Sequence, residues 1–292
     1  MFQNVTLCVC TLFLLVFLLV TFFSFLYKSH LEYYKTNINY LLKPVLTKDE
    51  NTDENQDFNE LPQIIHQTYK DKLKIPSKVY ANIKAYAPTH VHQIYDDKDA
   101  LEFFSQYFIA DVSKAFLALQ VGAHKADLFR YALLYIYGGI YLDIKTELIE
   151  DVLKTFCHLK EGTILTVLSK KRGEVYQGVI AAPPRQDIFL YLIDAILQSG
   201  SRPIYNRFCK DFYNYVCQDL KLHQLRAGHF MIPKNASSLL RPRQSYILYQ
   251  EVCSSSSSTE CYDGFDRYGF CCNIKAEDGA LKIKTRYSDY PW

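Results

Sequence analysis

Three observations predict an alternating α/β fold. From Leu61 onward, segments of strand period and helix period take turns along the chain. The stretch Lys125 to Glu147, KADLFRYALLYIYGGIYLDIKTE, runs an apolar helix through a glycine pair into a short strand that carries a carboxylate at its end. A chain of 292 residues with 49% apolar content and many Tyr and Phe has the material for a sizeable core. Its formal net charge of +2 gives no electrostatic case for a nucleic-acid partner.

Taken in chain order, Gln63 to Thr68 has strand period, Ser77 to Tyr86 helix period, Val91 to Tyr95 strand period and Lys98 to Tyr107 helix period. Thr163 to Ser169 and Gly178 to Ala182 are further strands, and Gln186 to Gln198 is an amphipathic helix. Tyr246 to Val252, Cys272 to Lys275 and Ala280 to Tyr287 are short strands expected to pack on the domain edge.

The central stretch is the most informative. At helical spacing Ala126, Phe129, Leu133 and Ile136 share one face, while Leu128, Tyr131, Leu134 and Tyr135 spread over the other. A helix apolar nearly all round is a buried one, so its charges, Asp127 and Arg130 one turn apart, need either partners or a task. Gly138 and Gly139 stop the helix. Ile140 to Lys145 then follows at strand period, with Tyr141, Asp143 and Lys145 on one face. Ligands of open α/β sheets bind beyond the carboxyl ends of the strands, so these residues describe a polar pocket there.

These residues resemble a known family. The pattern D-x-x-R-Y followed by Y-G-G-I-Y-x-D, with LPQIIHQTY at Leu61 to Tyr69 as the opening strand, is similar to the sugar transferases with a DXD motif, glycosyltransferase family 32. The resemblance is clear from Leu61 to Pro184 and loose in the C-terminal third. It implies a GT-A, Rossmann-like domain that moves a hexose from a UDP- or GDP-linked sugar to a glycan or glycolipid, with retention of configuration. It also implies that Asp127 and Arg130 hold the donor sugar hydroxyls and that Asp143, the first motif Asp, contacts donor and metal. Gln67, Thr68 and Tyr69 would line the nucleotide, with Tyr131 beside the donor, and Ser288 and Trp292 would close over the diphosphate.

One position departs from the family pattern. The motif reads Asp143-Ile144-Lys145, and a lysine ammonium does not ligate a metal unless it is deprotonated. Either Mn²⁺ or Mg²⁺ is held by Asp143 together with another group, for which Glu147 would serve if the strand continues, or Lys145 neutralises the diphosphate without metal. The candidate catalytic set is therefore Asp127, Arg130, Asp143 and Lys145.

The N-terminus sets the surroundings. Residues 1–27 carry no charged side chain, and Val5 to Leu26 is long enough for a bilayer, which needs ~20 residues. This is read as an anchor, with a cleaved signal peptide as the alternative. Residues 28–60, with the run KDENTDENQDFNE, are read as a polar stem, and 61–292 as the transferase domain. Lys28 and Lys35 after the span favour a cytosolic domain. The cluster Cys253, Cys261, Cys271 and Cys272 matches no zinc spacing and favours disulfides in an oxidising lumen, and Asn235 with Ser237 forms a glycosylation sequon. With the resemblance, this gives a type II protein of the Golgi or ER membrane. The rival reading is a degenerate glycan-binding or scaffold protein, motivated by the lost second Asp.

Overall fold

The sheet grows outward from strand β1, Ile64–Thr68, whose central residues are buried. In the computed structural model, the described residues are 38–44, 60–156, 159, 162–232, 245–255 and 270–285. The anchor at 5–26, most of the stem, the sequon, Cys261, the Cys271 side chain, Ser288 and Trp292 lie outside them. Among the described residues, no helix is long and apolar enough to cross a membrane.

After β1 come helix α1 (Ser77–Tyr86), strand β2 (Val91–Tyr95) and helices α2 (Asp97–Tyr107), α3 (Ala110–Ala118) and α4 (Gly122–Tyr137). Then follow β3 (Gly139–Leu142), β4 (Glu147–Leu148), β5 (Thr163–Leu168), β6 (Val175–Ala182), α5 (Asp187–Gln198), α6 (Arg207–Leu220), β7 (Gly228–Met231), β8 (Ser245–Ser255), β9 (Phe270–Lys275) and β10 (Leu281–Lys284). The strands form one mixed sheet in the order β2-β1-β3-β6-β5-β8-β9-β10-β4, with β7 beside β8. β1 runs parallel to β2 and β3, and β5 runs parallel to β8, as alternating α/β segments require. β3 and β6 pair antiparallel.

The core lies between the sheet and its helices. Ile65, Ile140, Leu142, Val167, Val179, Ala181 and Tyr249 pack together on one face. Helix α4 is buried along most of its length, from His124 through Tyr135, as its apolar circumference predicts. Helix α2 opens with a reciprocal cap: Asp96 accepts from the amides of Lys98 and Asp99, and the Asp99 carboxylate accepts from the amide of Asp96. Asp96 is thus a helix cap.

The glycine pair has a steric cause. Gly138 has φ of 63°, and a β-carbon there would lie 2.5 Å from the Pro184 backbone nitrogen. At Gly139, with φ of 91°, it would lie 2.6 Å from the Ile64 carbonyl oxygen. Only glycine lets α4 turn into β3 while pressed between β1 and the end of β6.

Three differences from the sequence reading matter. The strand expected over Ile140 to Lys145 ends at Leu142. The Asp143 amide donates to Gly178 O at 2.8 Å, and the Thr146 amide closes a turn onto Asp143 O at 2.8 Å. Ile144, in that turn, is buried against Ile75 and Val79, which pulls the chain out of the sheet. Helices α3 and α6, unassigned from the sequence, are present, and α6 buries Phe208, Phe212, Val216 and Leu220 at helical spacing. Leu41 and Leu42, inside the stretch read as stem, are buried, and Leu42 bridges Phe108. In the cysteine cluster, Cys253 and Cys272 form a disulfide between β8 and β9.

Candidate active site

The reversal at Gly138–Gly139 sets the geometry. The helix from Arg130 to Gly138 and the strand from Gly139 to Asp143 are each about 12–13 Å long, so the strand end returns to the level of Arg130. Arg130 Nη2 lies 3.2 Å from Asp127 Oδ1 and 3.5 Å from Asp143 Oδ1. The guanidinium sits over the Tyr141 ring at 4.5 Å, and its remaining N–H groups donate to the Gln177 and Ala126 carbonyls. Its planar fork therefore ties helix α4 to strands β3 and β6 at one point.

Burial sets the electrostatics. The Arg130 side chain is 5% exposed, against 24% for Asp143. Burial pushes the Asp127 carboxyl up to about 6, with Asp143 adding to the rise and Arg130 opposing it. Burial works against charge on Arg130, but Tyr141, Asp127 and Asp143 outweigh it and hold the guanidinium above its ordinary value. The Tyr141 hydroxyl, pushed up by burial, donates to Asp143 Oδ1 at 3.3 Å and lies 2.9 Å from Thr68 Oγ1. Asp143 is left as the most open member of the group.

Beside this group, beyond the ends of β1 and β2, lies a cleft of about 420 Å³. Thr68, Tyr69, Tyr95, Phe116, Lys125 and Phe129 line it, and Asp127, Arg130 and Asp143 do not. Thr68 joins the two regions, because it lines the cleft and bonds to Tyr141, which bonds to Asp143. The aromatic side chains of this cleft suit a planar base, and its polar lining, which includes Lys70, Asp96, Asp97 and Gln120, suits a ribose.

The other candidates are distributed unevenly. Gln67 is fully buried; its Nε2 donates to Asp143 O at 3.3 Å, and its Oε1 accepts from His92 Nε2 at 2.8 Å. It therefore supports Asp143 from behind. Tyr131 is also fully buried, and its hydroxyl bonds to Gln177 Oε1. Lys145 stands half-buried in the turn after Asp143, with no ion-pair partner among the described residues. Glu147 lies on a separate strand, 3.6 Å from Lys284 Nζ.

His66 is structural. Its Nε2 donates to Gly138 O at 2.9 Å, its Nδ1 lies 3.2 Å from the Tyr95 hydroxyl, and burial lowers its pKa to about 4. Tyr141 had a sequence signal, since it shares the strand face of Asp143. Gln177, whose backbone carbonyl holds Arg130, had only a loose one, in the family-like stretch Tyr176 to Pro184.

The donor set does not fit a divalent cation held by the protein alone. Arg130 and Tyr141 already occupy Asp143 Oδ1, and position 145 offers an ammonium. Glu251, Cys253 and Cys272 bring three candidate ligand atoms together, but the two sulfurs are spent in the disulfide.

Residues 45–159, which contain Asp127, Arg130 and Asp143, match the family model of the glycosyltransferase sugar-binding region containing DXD motif. The initiation-specific alpha-1,6-mannosyltransferase of Schizosaccharomyces pombe is 27% identical over 172 residues, covering 55% of this chain and 41% of that protein. Its namesake in Candida albicans is 28% identical over 143 residues, covering 46% of this chain and 35% of that protein. An uncharacterized glycosyltransferase of Acanthamoeba polyphaga mimivirus is 29% identical over 138 residues, covering 45% and 54%. The chain spans less than half the length of the two mannosyltransferases. The resemblance to glycosyltransferase family 32 holds over the region that carries the site.

Proposed function

We propose that the chain is a retaining glycosyltransferase of the GT-A type, moving a hexose from UDP or GDP to a glycan or glycolipid acceptor. The observation that carries this reading is the Arg130 guanidinium, buried between Asp127 and Asp143, beside an aromatic cleft, within residues that match a sugar-binding region. In this reading the cleft takes the nucleoside, and Asp127 and Arg130 orient the sugar hydroxyls. Asp143 faces the sugar and ribose, and Ser288 and Trp292 close over the diphosphate.

The departing diphosphate gains negative charge, and fixed positive groups aimed at it lower the barrier. Lys145 takes that role, standing in the turn one residue beyond Ile144 where the family pattern has a second carboxylate. The leaving diphosphate oxygen accepts the proton of the acceptor hydroxyl as the new glycosidic bond forms on the same face of the sugar. No separate protein base is needed. The apolar run from Val5 to Leu26 would anchor the protein in the Golgi or ER membrane, with the domain in the lumen, where the Cys253–Cys272 disulfide persists.

The test is hydrolysis and transfer by the full chain across UDP- and GDP-sugars, with Mn²⁺ or with chelator. Turnover that survives chelator and falls in Lys145→Ala supports the reading, and loss of turnover in chelator removes Lys145 from this role. Nucleotide binding without turnover favours the degenerate glycan-binding reading, for which Lys145 is the motivating residue. Neither binding nor turnover of any donor ends the transferase proposal. Protease protection of intact vesicles decides the orientation.

A further inference from the structure

Helix α4 separates two surfaces. At about 100° per residue, with Gly122 as zero, the cleft-lining residues Gly122, Lys125, Ala126 and Phe129 fall within roughly 60° of one another's mean direction. On the same scale Arg130 falls at about 80°, Asp127 at about 140° and His124 at about 200°. The charged pair thus lies between the cleft and whatever touches His124.

What touches His124 is the connection between α5 and α6, together with the first turn of α6. The ring donates from Nε2 to Tyr205 O at 3.0 Å, and it packs edge-on against Phe208 at 5.0 Å. Two more ties fix this connection: Arg207 N donates to Ile204 O at 2.9 Å, and Asn206 Nδ2 donates to the buried Glu174 carboxylate. On this pinned backbone Ile204 is 77% exposed and Tyr205 is 71% exposed. The two stand side by side on a thrice-tied lip against His124, three residues from Asp127 on helix α4. The His124 Nδ1 atom beneath the lip is buried and has no hydrogen-bond partner among the described residues.

We propose that the Ile204–Tyr205 lip is the acceptor subsite, with the Tyr205 ring as the platform for a pyranose of the acceptor saccharide. This rests on the transferase reading. If the leaving nucleotide occupies the cleft, the acceptor approaches from the other side of Asp127 and Arg130, and the lip stands on that side. A pyranose presents an apolar C–H face and a polar rim, which match an aromatic ring with a wet edge.

The test titrates the full chain in detergent with soluble mannose-, glucose- and galactose-ended oligosaccharides, and follows acceptor-free donor hydrolysis in parallel. Tyr205→Ala is expected to weaken saccharide binding about tenfold or more, while Tyr205→Trp retains it. The proposal is overturned if the wild-type chain binds no saccharide, if Tyr205→Ala binds like the wild type, or if Tyr205→Trp is as poor as Tyr205→Ala. Tyr205-dependent binding in a chain that turns over no donor would sink the transferase reading and leave the lip as a glycan-binding surface.

Discussion

Two clusters in this protein have the same composition, one cation between two carboxylates, and opposite character. Arg130 sits between Asp127 and Asp143, and Lys72 sits 3.7 Å from Asp96 and 2.6 Å from Asp99. The Arg130 side chain is 5% exposed and that of Lys72 is 40% exposed. At the buried cluster, lost hydration outweighs the cation, and the Asp127 carboxyl rises to about 6. At the open cluster, burial again pushes upward, but the Lys72 ammonium and the Asp96 amide prevail, and Asp99 falls below its ordinary value. Clusters of like charge pattern are therefore not equivalent: burial decides whether a charge is a costly, positioned group or a solvated cap.

The sharpest way to break this contrast is to remove the buried cation. Arg130→Met leaves Asp127 and Asp143 facing each other with no positive charge between them. A melt should show a loss of about 3–5 kcal/mol, the cost of an uncompensated buried charge. Donor turnover should fall about 10³-fold. Arg130→Lys should restore little, because one ammonium cannot reach Asp127, Asp143 and the Gln177 carbonyl together. A variant with near-native melting and turnover would erase the distinction between the clusters.

Asp143→Asn is the next largest. It keeps the side-chain shape and the turn, which is held by backbone bonds to Gly178 and Thr146, but removes a negative charge from the open edge of the site. Turnover should fall about 10²-fold with the melting temperature little changed. A parallel collapse of stability would show that Asp143 serves the fold rather than the donor.

The third effect is a pH slope. Burial pushes the Asp127 carboxyl from its ordinary value of 3.8, which it keeps in the unfolded chain, up to about 6 in the folded protein, so between those values the native state holds a proton that the unfolded state has lost. Stability from this group is complete below pH 4 and is lost as pH rises through 6. Subtracting the melting profile of Asp127→Asn from that of the wild type should isolate a falling slope in this window. A flat difference would mean that water reaches Asp127.

The contrast also explains what could be read from the chain. Asp127, Arg130 and Asp143 were legible because local spacing decides their meeting: one helical turn, a glycine pair and a short strand. The bounds of α1 and β2 were legible for the same reason. The end of β3 was not, since Ile144 leaves the sheet to pack on Ile75 and Val79, a contact far away in sequence. Gln67 and Tyr131 sit beside cleft-like residues in sequence, yet their partners, His92 and Gln177, come from other strands and draw them inward. Helix α6 did carry a signal in Phe208, Phe212 and Val216, but charged residues interleave them, and the polar background concealed it.

The smallest effect is the one that tests the open cluster. Lys72 hydrogen-bonds Asp99 and approaches Asp96, yet Asp96 also caps the Lys98 and Asp99 amides, so the helix start persists without the lysine. Because Asp99 is held low, its contribution exists above its unfolded value near 4 and fades as pH falls, the reverse of Asp127. Solvent screening limits that contribution, so Lys72→Ala should cost less than about 1 kcal/mol at pH 7 and still less at high salt. Turnover should stay within about twofold of the wild type, because Lys72 does not itself line the cleft, and Asp96, the cleft residue it approaches, stays fixed by the Lys98 and Asp99 amides. A loss as large as that of Arg130→Met would show that exposure is not what separates the two clusters.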